Sequence, residues 1–159
     1  ASSVICFLRE IRFSKALDTC ISRGYQLTVT QQVFDEIQRN PDTLREFTSY
    51  GKFNVIPVND PSCFNRLSKR YPWLHDGEIS VLCFGLQKEQ AGTRYICIID
   101  ERARNLKDKL HIRIHGSVGL LLWQKDRGDL APDECHHLYK MFKQSSFRVT
   151  DDILAGLIT

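Results

Sequence analysis

Two rhythms of apolar and polar positions run along this chain. One is the short, β-branched run. Tyr95, Ile96, Cys97, Ile98 and Ile99 form an unbroken apolar stretch too short for an ordinary helix. It reads as a strand buried on both faces, as in a parallel sheet. Residues 25–29, 53–58 and 111–114 are further short strand candidates, and Pro57 puts the second at a sheet edge or strand end. The other rhythm is apolar spacing of three and four. Residues 14–22 carry Leu17, Cys20 and Ile21 in that spacing, and Gly24 stops the helix. Thr30 caps a helix over 31–39 that cannot continue through Asn40 and Pro41. Further helices are predicted over 42–50, 63–71, 101–110, 116–125, 132–145 and 150–158, with Pro132 tolerated in a first turn. The clearest helix runs from an Asp76 N-cap to Glu89. Residues 3–10 are apolar and then turn charged. Strands alternating with helices make βαβ units, hence an α/β chain with a parallel sheet covered on both faces.

Composition narrows this picture only a little. A chain of 159 residues is one domain with room for a real core, and 42% apolar with 26% charged residues is the make-up of a soluble globule. A net charge of +3 permits a polyanionic partner without demanding one. The six cysteines are scattered without a Cys-x-x-Cys pair, and Cys6, Cys83 and Cys97 lie in apolar runs. Buried, reduced thiols of a cytoplasmic protein fit better than a disulfide framework. No run approaches the ~20 apolar residues of a membrane span, and no secretory signal is visible. The first residue is Ala1 rather than Met, so the chain is expected to be processed or cut from something longer.

Three carboxylates fall where chemistry is done. Asp100 ends the central strand, and open α/β sheets bind ligands outside their strand ends. It also reads, more plainly, as the cap of the helix that follows. Glu36 lies on or beside the apolar stripe marked by Val33 and Ile37, whereas Asp35 points away. Glu78 stands at the N-terminal end of the face formed by Val81, Leu82, Gly85 and Leu86. Inward carboxylates are costly unless paired or metal-bound. Hard oxygen ligands without a His/Cys cluster point to Mg²⁺ or Mn²⁺, which suits phosphodiester hydrolysis by an activated water. Each acid also reads as an ordinary first-turn or surface residue.

Taken in order, several stretches carry a family resemblance. They are Ser2 to Leu8, Val33 to Ile37, Leu74 to Glu78 with its Gly77-Glu78 pair, Ile98 to Arg104, Gly116 to Leu121 and the tail from Phe147 to Leu154. Together they resemble PIN domains, most closely the prokaryotic PIN-like branch with Gly-Glu at the third acidic position, over essentially the whole chain. The resemblance implies a single domain over residues 1–159 with a three-layer α/β/α sandwich around a central parallel sheet. It also implies a metal-dependent nuclease site for single-stranded RNA. Many relatives are toxins of toxin–antitoxin pairs and many dimerise, so an antitoxin protein and a homodimer are expected partners beside RNA. Carried over by position, Glu36, Glu78 and Asp100 are the implied catalytic and Mg²⁺/Mn²⁺ ligands. Glu101 and Asp76 are auxiliary ligands, and Ser3 is a small polar neighbour. The family's first acid falls on Ala1 or the residue before it. This sequence has neither an Asp there nor the strand expected to precede it.

Two other readings stay open: a PIN-like module that binds RNA or protein without cutting, and a phospho-acceptor or small-ligand α/β regulatory domain, which a strand-end Asp100 also fits. Arg102, Arg104, Lys107 and Lys109, with Arg66, Lys69 and Arg70, are candidates for steering RNA, and equally for solvated helix faces. Tyr71 and Trp73 suit packing better than base stacking. Cys135, His136 and His137 are adjacent on a helix and share no face, which argues against zinc.

Overall fold

The computed structural model describes all 159 residues apart from the side chain of Glu101. Its helices fall close to their expected places. α1 (Ser2–Ile5) runs into a π-helical turn over Cys6–Glu10, and α2 (Lys15–Ser22) ends before Gly24 at φ 88°. α3 (Gln31–Gln38) is capped by Thr30, whose hydroxyl accepts the Val33 N–H at 3.2 Å. α4 (Pro41–Tyr50) is capped by Asn40, and α5 (Pro61–Arg70) by Asp60. α6 (Asp76–Gln90) is the longest helix. Its N-cap is His75 rather than the expected Asp76: the Glu78 carboxylate accepts the His75 N–H at 2.9 Å, closing the first turn from inside. The helix expected over 101–110 is a 3₁₀ segment over Glu101–Leu106 and then one α turn, α7 (Lys107–Leu110). α8 (Ser117–Asp126), α9 (Pro132–Gln144) and α10 (Asp151–Ala155) close the chain.

The strands are β1 (Thr28–Thr30), β2 (Asn54–Ile56), β3 (Cys97–Ile98) and β4 (Ile114–His115). All pairing is parallel, as the buried run suggested, but the expected continuous sheet is divided. β1 pairs with β2 and β3 with β4, as two two-stranded sheets. The free edges of β1 and β3 face one another across a cavity of about 700 Å³, lined by residues 24–30 on one side and 93–100 on the other. The sheet is thus interrupted at its middle by a slot.

Helices cover both faces, which gives the α/β class and the three layers. On one face α6 lies so close to β3 that a methyl on Gly85 would come within 2.7 Å of the Cys97 sulfur. Ile79, Leu82 and Cys83 of α6 join Leu67 of α5, Ile99 and Ile114 in one core. On the other face Val118, Leu120 and Leu121 of α8 pack with Phe7, Leu17 of α2, Val29 of β1 and Leu138 of α9. α6 is therefore buried more widely than the stripe of Val81, Leu82, Gly85 and Leu86, since Ile79, Ser80 and Cys83 are also inside. All six cysteines are free and buried, and no helix is long and apolar enough to cross a membrane among the described residues.

Candidate active site

The C-terminal ends of β1 and β3 open at one mouth of the slot, whose lining includes the candidate acids Glu36, Glu78 and Asp100. Asp100 follows β3 and is 8% exposed. Its carboxylate does not cap the 3₁₀ segment beside it. Instead Oδ1 accepts the Ser117 N–H at 2.7 Å, at the start of α8, while Oδ2 accepts the hydroxyls of Ser117 at 2.6 Å and Ser3 at 2.9 Å. A buried carboxylate tolerates its site when such donors replace water, and the N-terminal end of α8 adds a favourable field. The charge is felt nearby: the Cys6 thiol is pushed up, first by burial and then by Asp100. Gly116 sits against this carboxylate, with Oδ1 at 3.2 Å and Arg104 Nη1 at 3.4 Å from where a Cβ would lie.

Glu36 comes from α3 and is half-buried, whereas Asp35 is exposed and accepts from Gln31 on the outer face. The Glu36 carboxylate lies over Gly77 in the first turn of α6. A Cβ at Gly77 would fall on Glu36 Oε1 and within 2.9 Å of its Cδ, so that turn has room for the acid only because the residue is glycine. The α-ammonium of Ala1 is 3.5 Å from Glu36 Oε2. Glu78 is half-buried at the head of α6, where its Oε2 is engaged by the His75 N–H. Below them the two faces are joined by a buried hydroxyl pair, Thr30 Oγ1 and Ser80 Oγ at 2.7 Å.

Glu36, Glu78 and Asp100 all line the slot, with Ala1, Ser3, His75 and Gly77. Asp76 is exposed and outside that lining. The Glu101 side chain lies outside the described residues. Among the described residues, no three His, Cys, Asp or Glu side chains stand close enough to hold one ion. The carboxylate oxygens of Glu36, Glu78 and Asp100 and the hydroxyl of Ser3 are donors that suit a hard divalent cation. The gathering does not yet match, because Asp100 is wrapped by three protein donors and Glu78 by one.

Sequence reasoning did not single out Ser117 or His75, nor Gly77 as the room for Glu36. A strand running into Gly116-Ser117 and then an apolar helix is the signal for the first. Gly77-Glu78 at a helix start is the signal for the others. The steering candidates fall apart: Arg104 borders Asp100, Arg102 lies over the Trp73 ring at 5.1 Å, and Arg66, Lys69 and Arg70 sit on α5. Tyr71 is buried and packs edge-on against Trp73, so that pair is packing rather than a base platform. His136 and His137 are exposed while Cys135 is buried, as expected of neighbours on different helix faces.

A family model described as a PIN domain matches residues 1–159. No curated protein matches the chain, and no solved structure does. A match over the full length, on a chain with these layers and these acids at its strand ends, settles the family: the chain belongs to the PIN domains, a group that generally comprises nucleases.

Proposed function

We propose that this chain is a ribonuclease that hydrolyses phosphodiester bonds of single-stranded RNA with Mg²⁺ or Mn²⁺. The observation that carries the reading is that Glu36, Glu78 and Asp100, from three separate elements, line one cavity at the ends of parallel strands. Those three residues would hold the ion, which supplies Lewis-acid polarisation and a more acidic bound water. The other groups do positional work. Ser117 and Ser3 fix the Asp100 carboxylate, Gly77 leaves the space that Glu36 occupies, and the His75 N–H orients Glu78. The reading includes the expectations of the resemblance: a toxin role with a protein antitoxin, self-association, and a cytoplasmic setting.

The reading includes one structural element as well. An extended apolar segment joined to Ala1 would enter the slot as a fifth strand, parallel to β1 and β3, and would end beside Glu36 and Asp100. A carboxylate as the last residue of that segment would add the missing donor.

A second reading is favoured by the same mouth as it stands. With no three acids at ligand distance among the described residues, the chain fits a PIN-like module that binds RNA or a protein without cutting. Labelled single-stranded RNA with Mn²⁺, beside the Asp100→Asn variant, decides between them. The ribonuclease reading expects cleavage that this substitution abolishes. Cleavage that survives it removes the carboxylate mechanism, and RNA bound but uncut with or without an added strand ending in Asp selects the binding module.

A further inference from the structure

A second cavity, of about 470 Å³, lies at the other ends of the strands, and its chemistry is opposite in sign. It shares Tyr25, Arg94 and Ile96 with the slot, and its remaining wall comes from β4, α7 and the end of α8. Arg94, Lys107, Arg113 and Arg127 face it against a single carboxylate, Asp108. All four cations are exposed, and none makes an ion pair among the described residues. Arg94 lies six positions before Asp100, about 20 Å along an extended chain at ~3.3 Å per residue, so the Arg94 end of this groove lies away from the carboxylate mouth, while His115 at its other end reaches toward Asp100 through β4.

Two of the guanidinium groups are held in place. Arg94 lies 4.1 Å from the Tyr25 ring centre and Arg127 lies 4.1 Å from that of Trp123, while the two rings meet edge to face at 6.2 Å. Arg94 is further pinned by donating to the Arg23 carbonyl at 3.1 Å. Arg23 itself is neutralised by a two-pronged pair with Asp129 at 2.6 and 2.8 Å, which the four groove cations lack. A guanidinium stacked on a ring keeps its N–H edges free and loses little freedom when they bond an oxyanion. Its outer face remains a platform for a planar base. His115, in the same wall, is held below its ordinary pKa by burial and then by Lys107 and Arg127.

We infer that this groove binds the phosphates of a single-stranded nucleic acid as an exosite, gripping the chain away from the cutting mouth. The choice of nucleic acid as the anion rests on the ribonuclease reading; the groove itself does not. The test is therefore binding without cleavage, by fluorescence anisotropy of a labelled single-stranded RNA in EDTA at several salt concentrations. The variants are Arg94→Gln with Arg127→Gln, Arg113→Gln, the charge-keeping Arg94→Lys, and Lys140→Gln on α9 as control. Each lost phosphate contact is expected to reduce the slope of log affinity against log salt by about 0.7. The double variant is then expected to lose about twice that, with Lys140→Gln unchanged. RNA binding is also expected to raise the His115 pKa, read by NMR. An unchanged slope and affinity in the double variant, with its melting curve intact, overturns the inference. It falls equally if inorganic phosphate alone moves His115 while RNA does not, or if polyglutamate displaces RNA at matched charge. Groove binding in a chain that never cleaves with Mn²⁺ would sink the ribonuclease reading and leave the exosite standing.

Discussion

Gly77 and Glu36 show how much of the candidate site depends on one missing methyl. In the body of a helix an alanine is better than a glycine by about 1 kcal/mol. Gly77 lies in the first turn of α6, so Gly77→Ala by itself would be expected to stabilise, were there space. There is none, because the Glu36 carboxylate fills it. Gly77→Ala is therefore expected to destabilise the wild-type chain and to push Glu36 out of the mouth, lowering Mn²⁺ affinity in calorimetric titration. In a Glu36→Ala background the same change is expected to be neutral or stabilising. Urea melts of the four proteins give the coupling energy, with about 1–3 kcal/mol expected for groups in contact. A coupling near zero would mean that Glu36 moves aside freely and that Gly77 has no part in placing it.

Thr30 joins two elements that are far apart in sequence. Its hydroxyl caps α3 and also bonds Ser80 of α6 in a fully buried spot, so Thr30→Val removes both contacts at nearly constant shape. Loss of an N-cap costs about 1 kcal/mol and an unsatisfied buried hydroxyl on Ser80 about 1–3 kcal/mol more. Ser80 keeps its bond to the Gly77 carbonyl, so the lower end of that sum is expected in urea denaturation. The cap itself was legible, because a threonine before an apolar helical stripe is a local signal. So were α2, α4, α5, α8 and α9, whose spacing and stops are written within each segment. The strands were harder. The run at 95–99 identified a buried parallel strand, yet only Cys97 and Ile98 form the ladder, since pairing depends on what lies beside it. Residues 25–29 foretold a strand that forms only over Thr28–Thr30, overlapping the expectation at two positions, where the Asn54–Ile56 register places it. The second partner of Asp100, the head of α8, comes from seventeen residues downstream, and nothing local in the sequence announces it.

Over the whole molecule, proton linkage gives stability a preferred window. Asp18, Asp129 and Glu134 are held below the usual carboxylate range by hydrogen bonds from Lys52, Arg23 and Lys15, and His115 is also held low. A group with a lowered folded pKa adds stability that is present above its unfolded value and is lost as pH falls through the folded one. The melting temperature is thus expected to fall in two steps on acidification. The first lies below about 6.5 and is removed by His115→Gln; the second lies below about 4. Burial pushes the thiols of Cys6, Cys20, Cys83, Cys97 and Cys135 up, Cys97 to about 12, with the opposite sign. Their contribution is present below the unfolded thiol pKa of about 8.5 and is lost as pH rises above it. A melting temperature flat from pH 8 down to pH 5 would show that His115 is not perturbed as the fold places it.

The slot is where fold and proposed chemistry depend on the same segment. β1 and β3 each pair on one side only, and exposed strand edges are sticky unless covered. A parallel strand inserted between them would pair both edges and bring the segment's last side chain between Glu36 and Asp100 without further folding. Fusing an extended Val/Ile-rich segment ending in Asp directly before Ala1 is therefore expected to raise the melting temperature and to slow amide exchange across 25–30 and 93–99. The same segment ending in Asn should reproduce both effects but not the gain in Mn²⁺ affinity. This difference separates the strand's structural role from its ligand. Supplying the segment as a free peptide should do less, because the covalent link spares the entropy of bringing two chains together. If the fused segment leaves exchange at both edges as fast as before, the gap between the sheets is not a strand's place, and the metal site would have to be assembled from Glu36, Glu78 and Asp100 alone.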